Sequence, residues 1–425
     1  MNDDSLQQSS ASIDTIVRSA PDSLLSVWFD QYFYFKRNDL RKILYNVCDT
    51  LNIEGTSSER IEQLNTCMSK QIPNKHFHKL SLNNGTVRLS GMMLSFLLSV
   101  LGISVREVQK FVVRVCGRNG HGGIKKPNMM EGEELEVFRA RFAAIVNSDC
   151  WLGEDGRLQY TEADRGRIKV VFDILQMIGD IPIELVPNPV NRSVKIWLPK
   201  PLGPAFIRWG FTTGDKSIQN ERLVEIVRNG SLISHRGYLE ELISEDGCFE
   251  QFAGFKWSRT IVLNLGIYDT KYNLEPKLSN QDCELLLSFD KARKDMKKKC
   301  TIVSIHQLEK AIEHDFAQDV LEIVSTSRSS LLDDEVSLAE QFGIRILSYP
   351  EYITLYESGR VSVKWVAKTA TKLDAIRWAL LFPPNDPRKR NKVNQWLKTQ
   401  RDETSIIRDH LEREGILTYG GPGVI

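Results

Sequence analysis

Cysteine is scarce in this sequence and shows no pairing pattern. The 7 thiols, Cys48, Cys67, Cys116, Cys150, Cys248, Cys283 and Cys300, are spread along 425 residues without a CxxC pair. That argues against a structural zinc site or a disulfide framework and fits a reducing compartment. Long apolar runs are missing too. The longest candidate, around Leu94 to Leu101, is broken by Ser95 and Ser99, so no membrane span is expected. The N-terminus is acidic and rich in Ser and Gln, with neither the basic nor the apolar part of a secretion signal. These absences together predict a cytoplasmic protein. An excess of charge is absent as well. The 56 Lys and Arg against 55 Asp and Glu leave a net charge of +1, so any contact with nucleic acid must come from a local basic face. His76, His78 and His121 have no second group beside them that would complete a metal or nucleophile constellation.

The length suffices for two or three domains, each with its own core. Residues 1–23 are polar and are expected to form a disordered tail. For residues 24–130 the spacing predicts an all-α N-terminal region, with Leu25, Trp28, Phe29 and Tyr32, then Leu40, Ile43, Leu44 and Val47, recurring at helical intervals. Leu94 to Val100, a turn through Gly102, and Val105 to Val115 read as helix, turn, helix, with Ser104 and Glu107 forming a capping box. Arg106, Lys110 and Arg114 would then share a face, as in a DNA-reading helix-turn-helix, although two core helices joined by a glycine turn is the plainer reading. The glycine-rich stretch from Gly117 to Gly123 lacks the strand-loop-helix setting of a phosphate loop.

The remainder is organised around a string that occurs twice. Phe142 to Cys150 reads FAAIVNSDC and Leu239 to Gly247 reads LEELISEDG. Each is an apolar helical run that closes on an aspartate, Asp149 or Asp246. After the first come a short hairpin (Trp151 to Thr161), a helix around Ile168 to Ile178 stopped by Gly179, a second hairpin (Ile181 to Leu198) and a helix from Leu202. After the second come a strand from Lys256, a helix around Leu338 to Phe342, a hairpin from Tyr352 to Ala367 and a helix from Asp374. Two echoes tie the halves together: Trp197 to Lys200 with Trp365 to Lys368, and Ile207-Arg208-Trp209 with Ile376-Arg377-Trp378. The fold class read from this is α+β, with tandem pseudo-two-fold αββαββα repeats over 131–230 and 231–425. The second repeat carries a helical insertion at about 266–335, with helices near Cys283 to Lys299 and Ile305 to Val324.

A duplicated unit whose first helix ends in such a string resembles the LAGLIDADG homing endonucleases in their monomeric two-repeat form, over roughly Glu131 to Trp396. The resemblance implies a saddle-like antiparallel sheet laid along double-stranded DNA, site-specific cleavage, and Mg²⁺ (or Mn²⁺) held by the eighth-position acids Asp149 and Asp246. It also implies a basic residue near each acid, for which Lys200 and Lys368 are the candidates. A divalent ion polarises the phosphoryl oxygen and activates water, and Mg²⁺ needs few protein carboxylates when phosphate and water complete its shell. Base contacts in the major groove are expected from polar strand residues: Arg157, Gln159, Arg192 and Lys195 in the first repeat, and Lys256, Arg259, Arg360 and Lys364 in the second. The basic runs Lys291 to Lys299 and Arg388 to Arg401 are either phosphate contacts or solvated charge. Asn147, Ser244, Cys150 and Glu241 depart from the motif. Those departures leave open a non-cutting regulator or splicing helper that binds DNA or RNA, and also an α+β scaffold for protein contacts.

Overall fold

The computed structural model describes residues 28, 30–81, 86–117, 123–187, 193–263, 300–304, 326–356 and 361–417. They form two compact units, 1–139 with 150–213, and 140–149 with 214–425. No helix among the described residues is long and apolar enough to cross a membrane.

The first unit begins with β1 (Tyr32–Lys36), α1 (Arg37–Thr50), α2 (Ser57–Gln71), β2 (Thr86–Ser90), α3 (Gly91–Leu101), α4 (Val105–Gln109), β3 (Val112–Cys116) and β4 (Ile124–Lys125). Its strands pair in the order β2-β1-β3-β4. The all-α expectation for this region is therefore corrected: its helices accompany a four-stranded antiparallel sheet. The reason is local. Phe33 and Phe35 are fully buried while Tyr32 and Tyr34, which alternate with them, are half-buried, which is the period of a strand. Val112, Val113 and Val115 are β-branched and favour the same geometry. The helix that starts at Val105 consequently ends at Gln109, and Arg114 lies in a strand, so the helix-turn-helix reading does not hold. Its cap does: the Ser104 N–H donates to the Glu107 carboxylate at 2.8 Å, and Gly102 closes α3 in the left-handed region at φ 63°.

This region is sewn onto the first repeat. Lys125 and Asp180 exchange two backbone hydrogen bonds of 2.9 and 2.8 Å, and the Trp28 indole donates to the Pro201 carbonyl at 3.0 Å. The repeat runs α5 (Gly132–Ser148), β5 (Cys150–Leu152), β6 (Leu158–Glu162), α6 (Arg165–Gln176), β7 (Glu184–Pro187), β8 (Val194–Trp197) and α7 (Leu202–Arg208), with strand order β5-β6-β8-β7. Gly156, at φ 72°, makes the β5–β6 turn.

The second unit holds α8 (Lys216–Gln219), α9 (Glu225–Arg228), α10 (Leu232–Glu245), β9 (Cys248–Glu250), β10 (Gly254–Leu263), β11 (Cys300–Ser304), α11 (Ser330–Gln341), β12 (Ile346–Tyr356), β13 (Val361–Thr369), α12 (Lys372–Leu381), α13 (Pro387–Thr399) and α14 (Arg401–Arg413). Its strands run β11-β12-β13-β10-β9, all antiparallel. Both repeats thus have the α-β-β-α-β-β-α order, and the inserted stretch adds a strand, β11, to the sheet edge. The helices expected near Cys283 to Lys299 and Ile305 to Val324 lie outside the described residues. The core beneath this sheet is aromatic. Phe255, Trp257 and Phe382 each pack within 5.7 Å, centroid to centroid, of Trp378, and burying each such ring is worth about 1.5–3 kcal/mol.

Candidate functional site

Both motif helices end alike. The backbone N–H of Asp149 donates to the Ile145 carbonyl at 3.2 Å, and that of Asp246 to the Leu242 carbonyl at 3.1 Å, so each acid is the first residue past its helix. A carboxylate is disfavoured there, because the last carbonyls already present partial negative charge. A lysine compensates in both cases. The Lys216 ammonium donates to the carbonyls of Val146 and Ser148. The Lys389 ammonium donates to those of Ser244 (2.7 Å), Ile243 and Gly247 (both 2.8 Å). Sequence reasoning missed this pair and read Lys389 only as part of a basic run, either in contact with phosphate or solvated. A signal was present: Phe211 to Asp215 and Phe382 to Asp386 share an FxxxD spacing. Each aspartate caps the helix whose first turn carries the lysine, with Asp215 accepting from the Ser217 N–H and Asp386 from those of Arg388 and Lys389.

The departures from the motif are absorbed by buried polar contacts. Glu241, fully buried, accepts two bonds from the Arg141 guanidinium (3.2 and 2.8 Å) and one from the Asn385 amide. The Ser244 hydroxyl accepts from the Asn385 N–H at 2.7 Å. Asn147 donates to the Tyr238 hydroxyl (3.1 Å), which donates to Glu335 (2.6 Å). Burial, reinforced by Glu335, pushes the Tyr238 hydroxyl well above its usual value and keeps it a donor. Glu335, with no exposed surface, also accepts from the Trp257 indole at 3.0 Å and from Arg259 at 2.6 Å.

Arg259 closes this chain on the candidate acid, donating to Asp246 as well as Glu335. Burial alone would lower its pKa, but the two carboxylates outweigh burial and hold the guanidinium charged. The groove contact expected of Arg259 is thereby corrected. Phe255, Trp257, Arg259 and Ile261 form the buried face of β10, while Lys256, Ser258 and Thr260 face the other way. Residues three apart on a strand cannot share a face, so Lys256 and Arg259 could not both have reached a groove. The fit to Mg²⁺ at Asp246 is poor for the same reason, since a cation already sits against that carboxylate. Asp149 is exposed. Among the described residues, no group of three or more His, Cys, Asp or Glu could hold a metal ion.

The WxxK echo does not produce matching positions. Lys200 is exposed in the turn after β8, whereas Lys368 lies inside β13 with its ammonium 5.4 Å from the centre of the Tyr349 ring. Trp197 is half-buried, while Trp365 is buried with its indole donating to the Ser327 carbonyl. Of the Ile-Arg-Trp echo only the tryptophans agree: Trp209 and Trp378 are both buried, whereas Ile207 is 39% exposed and Ile376 is fully buried.

The open face of the second sheet carries Lys256 beside Lys368, and Thr260, Lys364 and Tyr352 in the next row but one. Lys256 and Lys364 share one carboxylate, Glu351, at 2.7 and 3.0 Å. The hydrogen bond that Lys256 donates to Glu351 raises its ammonium above the usual lysine value. Burial would raise Glu351, but the bonds from both lysines outweigh it and the carboxyl is lowered. In the first sheet the open face has Trp151, Gln159 and Trp197 in one row and Thr161 and Lys195 in another. Gln159 donates to the Thr161 hydroxyl at 3.0 Å. Arg157, at the hairpin turn, pairs with Asp155 at 2.9 Å. Arg192 and Arg360 lie outside the described residues.

No family model and no curated protein matches the chain. Among solved structures, mesophilic variants of the homing endonuclease I-DmoI align with a TM-score of 0.33 and 11% identity, over 62% of this chain and 99% of that one. A doubly substituted I-DmoI in complex with its nicked target DNA, in the presence of Mn, aligns with a TM-score of 0.31 and 10% identity, over 59% of this chain and 96% of that one. The likeness is distant.

Proposed function

We propose that this chain binds double-stranded DNA on the open faces of its two repeat sheets and does not cut it through a metal ion shared by Asp149 and Asp246. The observation that carries the reading is the division of β10. Lys256, Ser258 and Thr260 occupy the open face, and Arg259 turns inward onto Asp246. On the open faces Gln159, Lys195, Lys256, Lys364 and Lys368 supply the donors that a major groove reads, and Arg157 stands at a hairpin tip. At the second acid, the cation that a nuclease would take from solution is supplied by the protein itself.

A second reading, a homing-type endonuclease using Mg²⁺ or Mn²⁺, keeps support from the exposed Asp149 and from the 27% exposure of the Asp246 side chain. In that reading Lys200 and Lys368 assist the acids and Arg259 withdraws onto Glu335 when DNA binds. One experiment separates the two. The chain is mixed with duplex from its own locus in Mg²⁺ and in Mn²⁺, and retardation and strand breaks are scored for the native protein and for the Asp149→Asn, Asp246→Asn double variant. The first reading expects retardation without breaks, unchanged in the variant. Breaks that vanish in the variant establish the second. Loss of retardation even at low salt removes both and leaves a protein-contact scaffold.

A further inference from the structure

The N-terminal sheet has one face that the DNA-binding reading leaves unused. Phe33, Phe35, Val87, Leu89, Val112 and Val115 are buried on its other side. The open side is ordered by register. Tyr34 pairs with Arg88 on β2 and with Arg114 on β3, and Arg114 pairs with Lys125 on β4. One row thus crosses all four strands as Arg88, Tyr34, Arg114, Lys125. At a strand spacing of about 4.8 Å the row is about 14 Å wide.

The chemistry of the row is uniform. The Arg114 guanidinium lies 4.3 Å from the centre of the Tyr34 ring, and that of Arg88 lies 4.8 Å from the centre of the Tyr32 ring. The His78 ring sits 5.7 Å from Tyr32 and bonds to the Arg88 carbonyl at 2.8 Å. Both tyrosines are half-buried, and Arg88, Lys125 and Lys36 are exposed. The four strands, YFYFK, TVRLS, VVRVC and IK, contain no acidic residue. Phe33 and Phe35 fill core space on the other side, Phe33 with its ring centre 6.4 Å from that of Trp28, whereas Tyr32 and Tyr34 stay half-buried. These rings instead carry guanidinium planes, and layered rings and guanidinium groups are surfaces on which unpaired bases stack while the charge holds phosphates.

We propose that this face binds a single-stranded nucleic acid, with bases stacked on Tyr32 and Tyr34 and the sugar-phosphate backbone following Arg88, Arg114 and Lys125. A row of that width accommodates two or three unstacked nucleotides. A duplex does not suit it, because the bases of a duplex present edges rather than faces. The site belongs to the first unit and does not depend on how the repeat sheets are used.

Fluorescence anisotropy of labelled 12-nucleotide oligo(U) and oligo(dT) against the full chain tests this. Both strands, or one of them, are expected to bind with an affinity that falls as salt rises. Tyr34→Ala is expected to weaken binding about tenfold or more, Tyr34→Phe to retain it, and the Arg88→Ala, Arg114→Ala double variant to flatten the salt dependence. Preference for oligo(U) or oligo(dT) identifies the strand as RNA or DNA. Photo-crosslinking of a halogenated oligonucleotide to the native protein gives a readout that does not depend on any variant folding. Adducts on the peptide that carries Tyr32 and Tyr34 are expected. Absence of strand binding at low salt, binding indifferent to Tyr34→Ala, or adducts confined to the repeat sheets would each overturn the proposal. Failure of duplex binding alone would not.

Discussion

Arg259 answers two carboxylates, and Glu335, which it neutralises, has no exposed surface. Removing one partner of such a buried pair leaves an uncompensated charge, which costs more than the pair contributes when intact. Arg259→Met is therefore expected to lower stability by about 3–5 kcal/mol, read from urea unfolding. Tyr238→Phe removes the proton donated to Glu335 and the acceptor used by Asn147, but leaves both ions paired. A smaller loss, about 1–3 kcal/mol, is expected from it. A larger loss from the tyrosine variant than from the arginine variant would show that the charge is not what holds this network.

Helix ends and strand faces decide the next scale. The C-terminus of α10 is satisfied by the ammonium of Lys389, reaching back from α13, and the structure offers the same solution at α5 with Lys216. Lys389→Met strips four carbonyls, those of Ile243, Ser244, Glu245 and Gly247, of a charged donor. It should cost about 1.5–3 kcal/mol and speed hydrogen exchange in the last turn of α10. Unchanged exchange there would mean that water replaces the lysine without loss. On the open face of the second sheet, Glu351 neutralises Lys256 and Lys364 together. Glu351→Gln frees both for phosphate. On the DNA-binding reading, duplex affinity at low salt should rise, and the slope of log K against log salt should steepen by up to about 2. An affinity that stays level would take these lysines out of the interface.

The whole molecule is nearly neutral, with a net charge of +1, so its pH response depends on particular groups rather than on total charge. In the first unit, burial holds His76 below the usual imidazole value, with Asp30 opposing. Burial lowers His78 too, with the hydrogen bond to the Arg88 carbonyl opposing. A folded-state value below the unfolded one means that the unfolded chain takes up more protons. Their contribution is thus fully present above the unfolded value of about 6.5 and is lost as pH falls from there toward the folded values. The urea midpoint is expected to drop between about pH 7.5 and about pH 5.5. The drop should shrink in a His76→Gln, His78→Gln variant, and an equal drop there would assign the effect to carboxylates.

Much of the fold was legible in the chain because it is written in local periodicity and in duplication. The two strings ending at Asp149 and Asp246, the hairpin from Trp151 to Thr161 and the helix stop at Gly179 mark where helices end and strands turn, and the αββαββα order follows from them. The N-terminal strands were misread because Tyr32 to Lys36 is too short to separate period two from the helical spacing of the residues before it. The candidate site was far less legible. A sequence shows that Arg259, Glu335 and Asp246 are charged, but not that a strand and two helix segments meet so that one guanidinium serves both acids. Nor does it reveal that Lys389, one of several basic residues in a row, is the one that reaches the end of a distant helix. Helix and strand periods act between near neighbours in the chain and can be counted there. Partners separated by 76 and 145 residues, as in Arg259 with Glu335 and Lys389 with Ser244, are chosen only when packing brings their elements together.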